Sequence, residues 1–262
     1  MRGRTEDVLA TRVDPAGARR VPDHVIVEEP LEIRLDGELV NVTMRTPGHD
    51  FELAVGYCHG DGLIGEETVQ TIRYCATGTA LETNYNTVTV ETGVARPPRA
   101  ARLTGSSAAC GVCGAQSIDE LTARLEPLPE HGPLAAYTAE HVAVAARQQQ
   151  TLFAETGAVH AAAAFDLATG AIAVLREDIG RHNAVDKVVG RLRLDGALPA
   201  TGVGLFVSGR ASFEMVQKAW AAGFAWVVAV GGVSSLAVAT AKQANLGLAG
   251  FLRGDRVTVY SP

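Results

Sequence analysis

Apolar and polar residues alternate in the first part of the chain, a pattern typical of half-buried β-strands. The alternation flanks Asp36-Gly37, and Asp-Gly between two such runs is a strong hairpin signal. A second hairpin is predicted over 81–94, with strands around Tyr85 and Val88–Val90. Between the two, the pattern of His49–Tyr57 indicates a short helix. The first part of the chain is therefore predicted to be β-rich.

The hydrophobic period changes after Thr138, where apolar residues recur at helical spacing up to Gly157. Alternating strands and helices follow, and they are predicted as strand 158–166, strand 171–176, helix 181–193, strand 203–207, helix 211–222, strand 224–230, helix 234–245 and strand 257–260. This order predicts an α/β fold class: a three-layer α/β/α domain with a mainly parallel sheet.

Three regions follow from these patterns. Residues 1–22 contain Arg, Gly and Pro without periodicity and are predicted to be a flexible lead-in. Residues 23–135 are predicted to form a smaller, β-rich N-terminal domain that ends in a Gly/Ser loop and one helix, which begins at the capping box Ser117–Glu120. Prolines and a glycine end that helix, so residues 136–262 are predicted to form the α/β domain.

Composition narrows the class of protein. Apolar residues make up 47% of the chain and charged residues 20%, which is ordinary for a globular protein. The net charge of −6 argues against a nucleic-acid binder, which needs a basic face. The start of the chain has no apolar core of signal-peptide length, and the most apolar stretch, Phe224–Val230, is too short to cross a bilayer. A cytoplasmic protein that does not enter the membrane is therefore expected.

Two of the four cysteines form the sequence Cys110-Gly111-Val112-Cys113. A thiolate pair at this spacing suits a disulfide switch, half of a zinc site or a persulfide relay. Zinc needs two further ligands, and Cys58 and Cys75 do not form a second pair at such spacing, so no structural metal is expected. A nucleophilic thiol in a Gly/Ser loop favours a carrier over a fixed redox site, while Cys58 and Cys75 are expected in the core.

Charged and polar residues are concentrated between Leu175 and Lys187. Asp178, His182 and Asp186 follow one another at four-residue spacing, so they are predicted to line one edge of a helix. One interpretation is a solvated face with ion pairs. The other is a ligand site, because Arg, His and Asn directly after a strand and a glycine occupy the position where α/β proteins bind ligands.

Two glycine turns precede predicted helices, at Ser208-Gly209-Arg210 and at Gly231–Ser235. Unpaired N–H groups at a helix start attract anions, and the Arg210 guanidinium suits phosphate. Plain helix starts are the alternative, but two such turns on adjacent strands favour a phosphate-bearing ligand. Arg253 and Arg256 flank a Gly-Asp turn that by itself indicates only a basic turn.

His160 occupies the position at which zinc nucleobase deaminases carry His-x-Glu. Here Ala162 stands in place of the glutamate, and no cysteine pair follows. A deaminase-like fold is compatible with this sequence, but the zinc mechanism is not.

Together these segments resemble the FdhD family of formate dehydrogenase accessory sulfurtransferases. The resemblance runs from about residue 25 to the end and is carried by the stretches RTPGHDFELAVGY, ACGVCG, TGAVHAA, REDIGRHNAVDKVVG, SGRASFEMVQKA and SSLAVATA. It implies that the α/β domain is cytidine-deaminase-like and that the protein is a homodimer. It further implies a sulfur carrier that accepts sulfur from a cysteine desulfurase as a persulfide. The sulfur would pass to the molybdenum cofactor, bis(molybdopterin guanine dinucleotide), before the cofactor enters formate dehydrogenase.

The resemblance also assigns roles by position. Cys110 would bear the persulfide, with Cys113 assisting or resolving it. The cofactor would contact a segment formed by Phe251, Leu252, Arg253, Gly254, Asp255 and Arg256. Our own hypothesis adds Ser208, Gly209, Arg210, Arg181 and His182 as further cofactor-binding residues.

One departure from the family pattern concerns the second glycine turn. Gly231-Gly232-Val233-Ser234 stands where the family usually has a small-Ala-Pro-Thr turn, which leaves the nucleotide preference open. Two rival interpretations remain at this point. One is a molybdenum-cofactor chaperone that moves no sulfur, and the other is a zinc-dependent nucleobase deaminase.

Overall fold

The structure is a computed structural model that describes residues 3–75, 79–94 and 122–262. Its strands are β1 (Thr5–Asp14), β2 (Gly17–Ile26), β3 (Glu29–Leu35), β4 (Glu38–Arg45), β5 (Thr71–Arg73), β6 (Thr87–Glu91), β7 (His160–Asp166), β8 (Ile172–Asp178), β9 (Val203–Val207), β10 (Trp226–Ala229), β11 (Gly247–Arg253) and β12 (Arg256–Ser261). Its helices are α1 (Asp50–Gly60), α2 (Ala136–Gln149), α3 (Thr151–Thr156), α4 (Arg181–Leu194), α5 (Phe213–Ala222) and α6 (Ser235–Ala244). None of the helices in these ranges has the length and apolar character needed to cross a bilayer.

The C-terminal half is built on a six-stranded sheet in the order β12-β11-β10-β9-β7-β8. Only β9, β10 and β11 run parallel to one another, while β7 is antiparallel to both of its neighbours. The prediction of a mainly parallel sheet is therefore wrong, and the sheet is mixed. The physical reason is the tight turns at Gly170 and Gly254, which can connect only antiparallel strands.

Helices cover both faces of this sheet. Ala162 and Ala164 of β7 pack in one apolar core with residues of α4, α5 and α6, whereas Ala163 and Phe165 pack in another with residues of α2. Successive residues of a strand point to opposite faces, so both faces of β7 are buried. The predicted α/β class agrees with this arrangement.

Strand β11 is absent from the predictions, which gave this region only a basic turn. Its Leu248 and Leu252 are buried, and two glycines interrupt the apolar run. A Cβ on Gly247 would lie 2.2 Å from the ring of Trp226, so the glycine allows close approach of the backbone. Glycine in a strand weakens the propensity signal, although tertiary contact requires it here.

The N-terminal half contains a four-stranded sheet in the order β4-β3-β6-β5, and α1 packs against it. The hairpin predicted at Asp36-Gly37 is confirmed, with Leu35 opposite Glu38. The hairpin predicted over 81–94 is wrong. Strand β6 pairs with β5 and with β3, and Tyr85 lies in a turn with positive φ.

The segment predicted as a flexible lead-in forms a hairpin instead. Strands β1 and β2 pair along their whole length, from Thr5 opposite Ile26 to Asp14 opposite Gly17. The Asp14 carboxylate accepts a hydrogen bond from the Ala16 N–H at 2.9 Å and supports the turn. Most residues of this hairpin are exposed, which explains why the sequence shows no simple burial period.

The two halves meet where α1 crosses α4. A Cβ on Gly56 would lie 1.8 Å from the carbonyl oxygen of Asp186, and one on Gly190 would lie 1.8 Å from that of Glu52. Both glycines therefore let the two helix backbones approach more closely than any other residue allows.

Candidate functional site at the carboxyl edge of the sheet

The two predicted glycine turns meet at one edge of the six-stranded sheet. Strands β9 and β10 are parallel neighbours, so the turns that follow them lie side by side. The Gly231 N–H donates to the Gly209 carbonyl at 2.8 Å, and the Ala211 N–H donates to the Gly232 carbonyl at 3.1 Å. A Cβ on Gly231 would lie 2.8 Å from the Gly209 oxygen, so the turns fit together only because this residue has no side chain.

The start of β7 completes this edge, because β7 runs antiparallel to β9. The Ser208 N–H donates to the Ala161 carbonyl, and the Ser208 hydroxyl oxygen accepts from the Ala161 N–H, both at 2.9 Å. His160 lies against Gly209, with its Nδ1 3.4 Å from where a Cβ of Gly209 would be. Ser208 therefore links the end of β9 to the start of β7, and this link places the His160 imidazole beside the first glycine turn.

Helix α4 supplies the next two side chains, Arg181 and His182, directly after its N-cap Gly180. His182 Nε2 lies 2.6 Å from a carboxylate oxygen of Glu214, in the first turn of α5. Burial lowers the pKa of His160, and the nearby charges of Arg181 and His182 lower it further. Both effects favour the neutral form of the His160 imidazole, which lies beside Arg181.

Three helix N-termini point to this edge, but they differ in charge. Helix α5 carries Glu214 in its first turn, whereas α4 and α6 carry no acidic residue in theirs. The dipole of α5 is therefore already compensated by its own carboxylate. At the start of α4, the Asp178 carboxylate already accepts a hydrogen bond from the Gly180 N–H at 2.8 Å. An anionic ligand is therefore favoured most at the start of α6, in the Gly231–Ser235 turn.

Phe251 has an unusual backbone conformation next to these turns. Its φ is +53°, and 51% of its surface is exposed. Its N–H donates to the Gly231 carbonyl at 2.9 Å, and its ring covers Gly232, where a Cβ would lie 2.8 Å from the ring. A bulky residue at positive φ is strained, and such strain is concentrated at ligand sites.

The other residues of the 251–256 segment have different surroundings. Leu252 is buried in the core, so it adds no atom to the surface of the site. Arg253 Nη1 donates to the Val230 and Leu252 carbonyls, each at 2.7 Å, and so ties β11 to the end of β10. Gly254, Asp255 and Arg256 are exposed in the hairpin between β11 and β12.

Cys110 and Cys113 lie outside the described residues. Of the other two cysteines, Cys58 is buried, as predicted, whereas Cys75, which is also predicted in the core, is only partly buried. Within the described part of the chain, no three His, Cys, Asp or Glu side chains come together in a way that could hold a metal ion.

The polar residues between Leu175 and Lys187 do not line the single helix edge that the spacing predicts. His182 lies at the site, but Asp178 and Lys187 are fully buried and paired at 2.6 Å. Lys187 also donates to the Thr46 carbonyl at 3.0 Å, and Asp178 accepts from the Thr46 N–H at 3.2 Å. Most of the predicted helical edge therefore joins the two halves of the molecule.

Arg176 forms a further ion pair across the same joint, because it donates to both carboxylate oxygens of Glu52. Asp186 pairs with Lys218 at 2.6 Å within the C-terminal half, and Lys218 Nζ lies 3.8 Å from a carboxylate oxygen of Asp61 at the end of α1. Burial opposes ionisation of Glu52, but the hydrogen bonds from Arg176 and His49 lower its pKa to about 2. Sequence reasoning missed these partners because they lie more than a hundred residues apart or on different helices.

The chain is similar in sequence to known proteins. Residues 26–262 match the model of the FdhD/NarQ family. A "Sulfur carrier protein FdhD" from Nocardia farcinica is 47% identical over 95% of this chain and 90% of its own length. The protein of the same name from Anaeromyxobacter dehalogenans is 45% identical over 92% and 88%.

A solved structure shows the same fold. The crystal structure of a putative formate dehydrogenase accessory protein from Desulfotalea psychrophila superposes with a TM-score of 0.79. It covers 99% of this chain and 98% of its own, at 23% identity. The matched residues include both glycine turns, the joint between the halves and the Cys110–Cys113 sequence, and the chain belongs to the FdhD/NarQ family.

Proposed function

We propose that this protein is a sulfur carrier of the sulfurtransferase class that serves formate dehydrogenase. The observation that carries the proposal is the family match over 26–262 together with relatives named as sulfur carriers. The matched region contains Cys110-Gly-Val-Cys113, and a thiol is the group that this chemistry requires.

Loading would occur by persulfide exchange with a cysteine desulfurase. The Cys110 thiolate attacks the outer sulfur of the desulfurase persulfide, a sulfur–sulfur bond forms on Cys110, and the desulfurase thiolate leaves. One sulfur–sulfur bond breaks and one forms, so this step needs no external oxidant or reductant.

Unloading would use the second cysteine. Release of the outer sulfur at the sulfide level requires two electrons, and the Cys113 thiol supplies them when it closes a Cys110–Cys113 disulfide. The sulfide then replaces an oxygen ligand on the metal of the acceptor, bis(molybdopterin guanine dinucleotide), and the oxygen leaves as water. Before the next round, a cytoplasmic dithiol reductant would return the Cys110–Cys113 disulfide to two thiols by thiol–disulfide exchange and would itself be oxidised to a disulfide.

The carboxyl edge of the sheet would hold this acceptor. The start of α6, which has no acidic residue in its first turn, suits the diphosphate groups of the cofactor together with the glycine turn at Gly231–Ser235, Arg181 and Arg210. The exposed ring of Phe251 offers an apolar surface beside them. Ser208, Gly209 and Arg253 would act mainly by fixing the shape of the edge, because their polar groups are engaged by the sheet and the turns.

The sheet order supports a deaminase-like origin for the C-terminal domain. Strand β7, which begins with His160, lies between an antiparallel hairpin partner and the parallel strands β9, β10 and β11. Ala162 replaces the acidic residue that zinc deamination requires, so we propose a carrier that keeps the fold without the zinc reaction.

Measurement of formate dehydrogenase activity in cells that lack this protein tests the proposal. Wild type restores activity, whereas Cys110→Ala does not, although purified Cys110→Ala still binds guanosine diphosphate as tightly as wild type. Full activity with Cys110→Ala would reject sulfur transfer and leave a cofactor chaperone. Stoichiometric zinc with deamination of cytidine would reject both in favour of a deaminase.

A second test concerns the carboxyl edge. Calorimetric titration with guanosine diphosphate should show an affinity at least roughly tenfold lower for Arg210→Ala, because a charged phosphate contact is removed. Arg34→Ala, on the remote four-stranded sheet, is the matched control and should bind like wild type. Equal affinities for both variants would place the nucleotide elsewhere.

A further inference from the structure

The carboxylate of Glu214 lies at a helix start where an anion would otherwise bind. It belongs to the first turn of α5, directly after the glycine turn Ser208-Gly209-Arg210. A carboxylate at a helix start compensates the positive end of the dipole, so it disfavours phosphate in this turn. The start of α6, after the neighbouring turn, has no acidic residue and is suited to phosphate. The two turns therefore suit different chemistry.

The partner of this carboxylate is an imidazole. His182 Nε2 lies 2.6 Å from a Glu214 oxygen, and the two side chains form an ion pair when His182 is protonated. They are 22% and 15% exposed, so the pair is largely shielded from water but still reaches the surface of the site. Histidine changes its charge between about pH 5 and 8, so it can hold a proton near neutral pH and release it.

This pair lies beside the first glycine turn. Arg181, the residue before His182, has its Cδ 3.9 Å from where a Cβ of Gly209 would be, and His160 Nδ1 lies 3.4 Å from the same point. Burial and the charges of Arg181 and His182 lower the pKa of His160, which favours its neutral form. Of the two imidazoles at this turn, His182 is therefore the one placed to carry a proton.

The next pair along the same two helices is closed to the site. Asp186 and Lys218, one turn after His182 and Glu214, are paired at 2.6 Å and are only 3% and 5% exposed. A substrate at the carboxyl edge can therefore reach the His182 pair but not the one behind it. The charged and titratable groups around His182 are Glu214 and Lys218 on α5, Arg181 and Asp186 on α4, His160 on β7 and Arg210 in the first glycine turn.

We infer that His182 donates a proton to the oxygen that leaves the cofactor metal during sulfur transfer, and that Glu214 is the positioning residue of His182. This inference rests on the proposed sulfur-carrier function. Since Nε2 faces Glu214, the Nδ1–H of the imidazolium is the group that donates. Oxide is a poor leaving group, and a positioned acid that protonates it accelerates such a step by roughly 10²–10⁴.

The protons balance without any further reactant. Metal–oxygen and sulfur–sulfur bonds break, metal–sulfur and disulfide bonds form, and two sulfhydryl protons are freed, one from the outer sulfur of the persulfide and one from the thiol that closes the disulfide. His182 gives its proton to the oxygen and takes up one of the two freed protons, and the other completes the water molecule. The imidazole ends each round protonated, and no electrons pass through it.

Release of sulfur from the loaded carrier tests this role. Wild type, His182→Gln and Glu214→Gln are loaded by a cysteine desulfurase and mixed with the oxo form of bis(molybdopterin guanine dinucleotide). The loss of the sulfur atom is followed by the mass of the intact protein, and rates are compared per molecule loaded. His182→Gln should release sulfur at least roughly a hundredfold more slowly than wild type. His141→Gln, which changes an exposed histidine on α2, is the matched control and should release sulfur like wild type.

The pH profile separates a proton donor from a residue that only shapes the site. The ratio of the wild-type rate to the His182→Gln rate should fall as the pH rises between about 5 and 8, since the imidazolium is lost. In Glu214→Gln this fall should begin at a lower pH, because the imidazolium has lost its carboxylate partner. Circular dichroism checks that each variant folds. A ratio that does not change with pH, or identical profiles for wild type and Glu214→Gln, would overturn the inference.

The same experiment distinguishes failure of this role from failure of the proposed function. A wild type that takes up no sulfur would overturn the sulfur-carrier proposal and this inference with it. A wild type that loads and releases sulfur, with His182→Gln equally fast, would overturn this inference alone. Weaker binding of guanosine diphosphate to His182→Gln, together with a wild-type rate of release, would make His182 a phosphate contact instead of a proton donor.

Discussion

At the scale of single residues, burial decides what a charged side chain does. Asp178 and Lys187 belong to a polar run whose spacing predicts a helical edge, yet both are fully buried, paired with each other and hydrogen-bonded to the backbone of Thr46. Spacing along a helix shows which residues share a face. It does not show that a segment 132 to 141 residues earlier in the sequence will cover that face. The segment around Thr46 does not cover His182, four residues from Asp178, which lies at the carboxyl edge of the sheet and contacts Glu214.

The buried pair gives a direct stability prediction. Lys187→Met should lower the free energy of unfolding by about 3–5 kcal/mol, because it leaves the Asp178 carboxylate buried without its ammonium partner. Asp195→Asn removes an exposed pair with Arg191 and should cost at most about 0.5 kcal/mol. Urea unfolding of the three proteins measures both effects. Equal, small losses would show that the joint does not depend on this pair.

His59 predicts how stability depends on pH. Burial lowers its pKa to about 4, and its Nδ1 is buried without a hydrogen-bond partner while Nε2 lies 3.0 Å from the Ala221 carbonyl. The unfolded chain, with an ordinary histidine pKa near 6.5, therefore binds a proton that the folded protein does not. The stability contributed by neutral His59 should be complete above pH 6.5 and lost as the pH falls towards 4.

Comparison with His59→Gln isolates this residue. The amide of glutamine can still donate to the Ala221 carbonyl but does not titrate. Between pH 7 and pH 4.5, wild type should lose roughly 2–3 kcal/mol more than His59→Gln in urea unfolding. Parallel pH profiles for the two proteins would show that His59 titrates normally in the folded state.

At the scale of elements, the crossing of α1 and α4 organises the molecule. Glycine inside a helix normally costs stability relative to alanine, so Gly56→Ala or Gly190→Ala would stabilise an isolated helix by about 1 kcal/mol. Here each added methyl group would overlap the opposing backbone at 1.8 Å. Both substitutions should therefore destabilise the protein by more than about 3 kcal/mol.

Thermal unfolding of Gly56→Ala and Gly190→Ala tests this reversal of sign. Gly132→Ala is the control, since a Cβ there meets nothing within 4 Å, and its melting temperature should stay close to that of wild type. A rise in melting temperature for either helix variant would mean that the helices lie farther apart than the structure places them.

Local sequence signals also explain which elements were predictable. Strand β9 and helix α4 have clear boundaries, since β9 lies between Gly202 and the Ser208-Gly209 turn and α4 begins directly after Gly180, and the predictions place both to within one residue. Strand β11 has glycines that tertiary contact with Trp226 requires, and β5 is only three residues long. Both depend on neighbours from distant parts of the chain, which no local pattern contains.

At the scale of the whole molecule, the carboxyl edge was predictable in outline. Two glycine turns after neighbouring strands indicated an anion site, and the structure places Arg181, His182 and His160 beside them. The sequence could not show that Glu214 already compensates α5, or that Arg253 is engaged by the Val230 carbonyl. Those contacts depend on side-chain geometry across strands, and they move the predicted anion site towards the start of α6.

We propose that Cys110 carries sulfur, and the mass of the intact protein shows directly whether it does. After incubation with a cysteine desulfurase and cysteine, wild type and Cys113→Ala should each gain the mass of one sulfur atom, and a reductant should remove it. Cys110→Ala should gain none. Absence of the gain in every variant, while guanosine diphosphate still binds, would contradict sulfur transfer and leave a protein that only holds the cofactor.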